Sequence, residues 1–218
     1  MSQARPAVEV LSDRLLSVFP ALDADDQRLS LALYRRLAEG APVALPPLAA
    51  ELAMPREEVE RRLAAWPGVY YDDERQVIGY WGLTIRPMTH RLRVDGRELF
   101  AWCAWDTLFL PALLGRTAEV SSVCRASGRP VRLSVSPRGV ESAEPKGLAD
   151  SFLVPDADAV RADVITSFCH YVHYFSSVDG ARPWLAQHPE AFLLSLGEAY
   201  EVGRRTTRAR YPAVLDLH

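Results

Sequence analysis

Between Glu98 and Leu114 the chain carries an apolar run interrupted by one charged residue, Asp106. A stretch of this kind belongs inside the protein, so the remaining elements have to cover it. Its length suits a helix over Glu98–Leu114, which Pro111 would kink or end early. A carboxylate set among Trp102, Trp105, Leu108 and Phe109 is costly to bury unless it is paired or protonated. Cys103 stands three positions earlier, which in a helix places it on the same face as Asp106. Two readings follow: Asp106 caps a helix while Cys103 fills space in the core, or the two share a site.

With 218 residues, 49% of them apolar and 24% charged, the chain can build a core without disulfides or a structural metal. A formal charge of −3 offers nothing to a polyanion. No segment has the apolar length of a membrane span, and the first residues lack the basic-then-apolar order of a secretory signal. Three cysteines, an odd number, with no export signal point to the cytoplasm, where thiols stay reduced. Neither a nucleic acid nor a membrane is expected as a partner.

The first 82 residues read as helices followed by a hairpin. Helices are expected over Val8–Phe19, from Asp23 or Asp25 to Glu39, over Leu48–Ala53, and from Pro55 to Trp66. Strands follow at Val69–Tyr71 and Val77–Trp81. This is the order of a winged helix-turn-helix, yet the recognition-like helix sets Glu57, Glu58 and Glu60 against Arg56, Arg61 and Arg62. That balance leaves no surplus charge for phosphates, so a scaffold role is favoured. From residue 83 to 218 the pattern mixes strands (Thr84–Val94, Ala118–Val123, Val131–Val135, Gly147–Val154, and Phe168–Phe175, where alternation fits a strand but does not exclude a helix) with helices at Glu98–Leu114, from Asp156 to Val164, Pro183–Gln187 and Pro189–Arg208. Ser136–Lys146 reads as loop. The expected fold is α+β: a winged-helix-like unit, 1–82, then a mainly antiparallel sheet core with flanking helices, 83–218.

Cys169 lies in the aromatic segment SFCHYVHYF, close to His170 and His173. A buried structural cysteine, a zinc ligand and the nucleophile of a Cys/His/acid hydrolase are all readings of it. The spacing lacks a CxxC or HxxxH pair for zinc, and no nucleophile signature surrounds it. Cys124, in a strand before a turn, has no acid or base beside it and reads as structural. A metal sensor, or a winged-helix regulator responding to metal or thiol chemistry, also fits these ingredients.

Two blocks carry a resemblance. GLTIRPMTHRLRVDGRELFAWCAWDTLFLPALLGRTAEVSSVC, residues 82–124, and VPDADAVRADVITSFCHYVHYFSS, residues 154–177, are similar to the organomercurial (alkylmercury) lyases. The resemblance implies cleavage of carbon–mercury bonds, with Cys103 and Cys169 as the catalytic cysteines and Asp106 as the acid. It further implies Hg(II) as a product held by Cys103 and Cys169 with Asp106 nearby, and no tightly bound organic cofactor. Low-molecular-weight thiols, or a mercuric reductase, would take the metal away. His170 stands where some members carry another cysteine. Trp102, Trp105 and Phe168 are the expected walls for the organic group. Softness makes the trio coherent, because thiolates are mercury's preferred protein ligands. An ordinary aspartic acid, with a pKa of about 3.9, must acquire a proton in the site before it can serve as an acid.

Overall fold

The computed structural model describes residues 6–215. Four helices come first: α1 (Val8–Val18), α2 (Ala24–Leu37), α3 (Leu45–Leu52) and α4 (Arg56–Ala65). Asp23 starts α2 with a capping box, its side chain accepting from the Asp26 N–H while the Asp26 carboxylate accepts from the Asp23 N–H. Strands β1 (Val69–Tyr71), β2 (Val77–Tyr80) and β3 (Leu83–Thr84) lead into β4 (His90–Val94) and β5 (Arg97–Ala101). Helix α5 (Asp106–Leu114) follows, then β6 (Ala118–Val123), β7 (Pro130–Ser136), β8 (Gly139–Glu144) and β9 (Ala149–Phe152). The remainder is α6 (Ala157–Ala162), α7 (Val164–Ser167), a 3₁₀ turn at Cys169–Tyr171, β10 (Tyr174–Phe175), α8 (Val178–Gln187), β11 (Phe192–Ser195) and α9 (Leu196–Arg210).

The fold is α+β, with an eight-stranded antiparallel sheet in the order β1-β2-β3-β5-β4-β6-β7-β8. A three-stranded antiparallel sheet, β10-β9-β11, stands apart from it. The large sheet is continuous across residue 82, because β3 bridges the wing strand β2 to the core strand β5. Helix α5 is buried at every position, packed against α9, α2 and β7.

Several expected elements change. Glu98–Leu114 is not one helix: its first part is strand β5 and only Asp106 onward is helical. A continuously apolar run is compatible with a buried strand or a buried helix, so periodicity could not divide it. Cys103 therefore precedes α5, and it meets Asp106 through the helix start and not along a helix face. Ser136–Lys146 contains β8, an edge strand whose residues are all exposed or only partly buried and show no alternation. Thr84–Val94 is two strands, parted around Pro87, which has no N–H for the ladder. Phe168–Phe175 is largely the 3₁₀ turn, with strand only at Tyr174–Phe175. The last helix begins at Leu196, where Ser195 and Glu198 form a capping box, and residues Phe192–Ser195 before it pair with β9.

Candidate active site

Three local devices bring distant residues to one point. The first is the start of α5: the Asp106 carboxylate turns back and accepts the Cys103 N–H at 2.8 Å. This fixes the loop 102–105 over the helix N-terminus, where a negative charge is favoured. The second is Asp163, whose carboxylate caps α7 by accepting from Ile165 N (2.9 Å) and Thr166 N (3.3 Å). The 3₁₀ turn that carries Cys169 follows, and its end is tied to the loop by Ala104 N donating to Val172 O at 3.3 Å. The third is the corner Trp81-Gly82 between β2 and β3. Both residues have positive φ, +30° and +95°, and the Gly82 carbonyl accepts from Trp102 N at 3.0 Å. A Cβ at Gly82 would lie 2.6 Å from Asp106 Oδ1, so only glycine leaves room for the carboxylate.

The outcome is a cluster of Cys103, Asp106 and Cys169 whose ligand atoms all lie within 4.8 Å of one another. All three are buried. Burial raises the Asp106 carboxyl to about 7, although the Cys103 thiol and the N–H groups of Cys103 and Trp102 point toward it and pull the other way. Burial also pushes the Cys103 thiol well up, with Cys169 and the Asp106 charge adding to it. At Cys169 the contact with Cys103 favours the thiolate, but burial and the charges of Asp106 and Asp163 outweigh it and the thiol is raised. The site thus keeps protons on its sulfurs and holds an acid near neutrality.

An apolar chamber of about 20 Å³ adjoins the cluster, room for roughly one water-sized group. Trp102, Trp105 and Phe168 all line it, together with Trp81, Phe109 and Cys169. Trp105 is held by its Nε1–H, which donates to Ala199 O at 3.0 Å, and its ring meets Phe152 and Phe168 edge-on. Leu15, Val18 and Phe19 of the N-terminal helical unit complete the wall, a contribution that periodicity in α1 could not reveal. Gly82 and Trp81 were also unforeseen; a glycine between two strand-like runs was the available signal. Tyr70 was missed as well. Its ring meets Trp102 edge-on at 5.1 Å, and burial and the nearby Asp163 and Cys169 raise its hydroxyl to about 12.

Cys124 lies outside this cluster. Burial would raise its thiol, but hydrogen bonds from Ser127 and Ser176 prevail and bring it to about 7, with Ser176 N–H 3.3 Å from the sulfur. His170 is exposed, and His173 is held neutral, near 4, chiefly by burial and then by Arg125. Asp150, on β9, is a further unforeseen acid: fully buried, with neither carboxylate oxygen hydrogen-bonded, and raised well above the usual carboxyl range by burial and by Asp106.

The family described as alkylmercury lyase matches residues 83–208, and the helix-turn-helix domain of alkylmercury lyase matches residues 8–81. The alkylmercury lyase of Staphylococcus epidermidis is 46% identical over 179 residues, covering 82% of this chain and 81% of that protein. The alkylmercury lyase of Streptomyces lividans is 41% identical over 201 residues, covering 91% and 92%. In fold, the chain is similar to the crystal structure of the mercury-bound form of MerB2, with a TM-score of 0.71 at 23% identity, covering 94% of this chain and 98% of that one. With nearly the whole sequence matched and relatives this similar over most of their own length, the chain belongs to the alkylmercury lyase family.

Proposed function

We propose that this organomercurial lyase divides its reaction among Cys103, Cys169 and Asp106. The observation that carries the assignment is one buried cluster holding two thiols and an acid near neutrality. An organomercurial cation exchanges its ligand for the sulfur of one cysteine, and that thiol's proton leaves. As the second sulfur bonds to mercury, its proton passes to Asp106, and Asp106 delivers it to the departing carbon. Two thiolates supply electron density to mercury while the carbon–mercury bond breaks. The products are a hydrocarbon and Hg(II) bound to Cys103 and Cys169, with Asp106 beside it. Because burial keeps both thiols protonated, the proton that the carbon needs is already in the site. An acid near 7 moves it with little loss in either direction.

Trp102, Trp105 and Phe168 flank the organic group and keep the site dry, which strengthens the acid and metal contacts. Thiols, or the cysteines of a mercuric reductase, take Hg(II) away by ligand exchange, and the enzyme works in the cytoplasm. Among the described residues no helix is long and apolar enough to cross a membrane. Residues 1–82 act as a scaffold and residues 83–218 as the catalytic core.

The test is phenylmercury with excess thiol, followed by assay of benzene. Wild type releases benzene catalytically, whereas Cys103→Ser and Cys169→Ser release none. Full activity in Cys169→Ser would overturn the two-thiol assignment.

A further inference from the structure

A second cavity, of about 380 Å³, adjoins the cluster, and only Trp102 and Cys169 line both it and the apolar chamber. The two spaces differ in kind. The chamber is small and walled chiefly by aromatic and aliphatic side chains. The groove sets Arg125, Thr166, His170 and His173 among apolar neighbours such as Val123 and Ile165, with no aspartate or glutamate among its lining residues. Arg125, Thr166 and His170 are exposed, so the groove meets solvent.

We propose that this groove is the port by which an anionic low-molecular-weight thiol reaches Hg(II) and lifts it from Cys169. The proposal rests on the lyase reading above. An ionised thiol compound cannot enter an apolar chamber of about 20 Å³ without a large desolvation cost. The groove has the volume of a small-molecule site, Arg125 gives it a positive charge, and Thr166 and His170 offer hydrogen bonds. Cys169 lines both spaces, so it stands between the organic substrate on one side and the incoming thiol on the other.

The exchange balances without any redox step. The sulfur of the incoming thiol forms a bond to Hg(II), the bond from Hg(II) to Cys169 Sγ breaks, and the proton lost by the thiol ends on Cys169 Sγ. A second thiol repeats the exchange at Cys103. The enzyme regains two protonated cysteines, and Hg(II) departs with two external thiolates.

Protein loaded with one Hg(II) is mixed with glutathione, or with the neutral thiol 2-mercaptoethanol, and the rate of metal release is followed. Arg125→Glu reverses the groove's charge and slows release by glutathione at least about fivefold, while 2-mercaptoethanol is little affected. Val123→Trp, at an exposed position on the groove wall, fills the groove and slows both thiols. Both variants form benzene from stoichiometric phenylmercury, with no thiol added, at the wild-type rate. Unchanged glutathione release in Arg125→Glu, or wild-type release by both thiols in Val123→Trp, overturns the port. Failure of wild type to form benzene would instead overturn the lyase mechanism, and the release assay on Hg(II)-loaded protein would still decide the groove.

Discussion

At the scale of single residues, the roles separate by chemistry. Asp106→Ala keeps both sulfurs, so it should bind one Hg(II) with nearly wild-type stoichiometry while turnover of phenylmercury falls by about 10²- to 10⁴-fold. Paired mercury titrations and benzene assays check this; full turnover in the variant would remove Asp106 as proton donor. Gly82→Ala leaves every reacting group in place but puts a carbon 2.6 Å from Asp106 Oδ1, at a φ of +95°. The carboxylate must shift, and a displacement of about 1 Å costs on the order of 10²-fold in rate, measurable without loss of mercury binding. Asp150 shows the cost of an unpaired buried acid. Its folded pKa is raised, so the stability it contributes is full below its unfolded value of 3.8 and is lost as pH rises toward the folded value. The stability of Asp150→Asn relative to wild type should therefore rise with pH above about 4, by at most about 1.4 kcal/mol per pH unit, read by urea unfolding. The two cysteines and Asp106 were legible through the two blocks that resemble the lyases; their residue pattern by itself left a helix cap and core cysteines open. Gly82 and Asp150 were not, since one acts through an absent side chain and the other through strand pairing that no local pattern discloses.

At the scale of elements, α4 shows why the winged-helix order need not imply DNA. Each arginine on it is engaged within the protein: Arg56 with Glu60, Arg61 with Glu58, and Arg62 with Glu58, Asp23 and Asp26. Phosphates would have to compete with these carboxylates, and few counterions would be released. Titration with duplex DNA at low salt should show no tight, strongly salt-dependent complex; one that formed would return a regulator to consideration. Helix boundaries with polar caps leave local chemical traces: Asp23 was expected from the sequence, whereas the Ser195 cap, with Glu198 three residues on, was passed over for a start at Pro189. The division of Glu98–Leu114 between β5 and α5 leaves none, because buried strand and buried helix use the same residues. Edge strand β8 was hidden for the opposite reason, its exposure removing the alternation that marks a half-buried strand.

At the scale of the whole molecule, the two ends of the chain close on the middle. Ser30 Oγ lies 2.9 Å from Tyr80 OH and 2.7 Å from Tyr211 OH, joining α2, β2 and the C-terminal end of α9 in one buried network. Arg210 stacks over Phe19 at 4.1 Å, and α1 packs along α9. With a sheet continuous across residue 82 as well, thermal unfolding should be one transition by both near- and far-ultraviolet circular dichroism. Two resolved transitions would show that the N-terminal unit melts by itself. The aromatic chamber sits on this same seam, between Phe19 and Trp81 on one side and Phe168 on the other. It has room for little more than a water, so a phenyl group enters only when the seam parts. Cohesion and admission are then set by one set of contacts. A lineage adapting to heat by tightening this joint would gain durability and lose speed in the cold, whereas one that hardened the pairing of β7 with β8, which lend no residue to the chamber, would keep both.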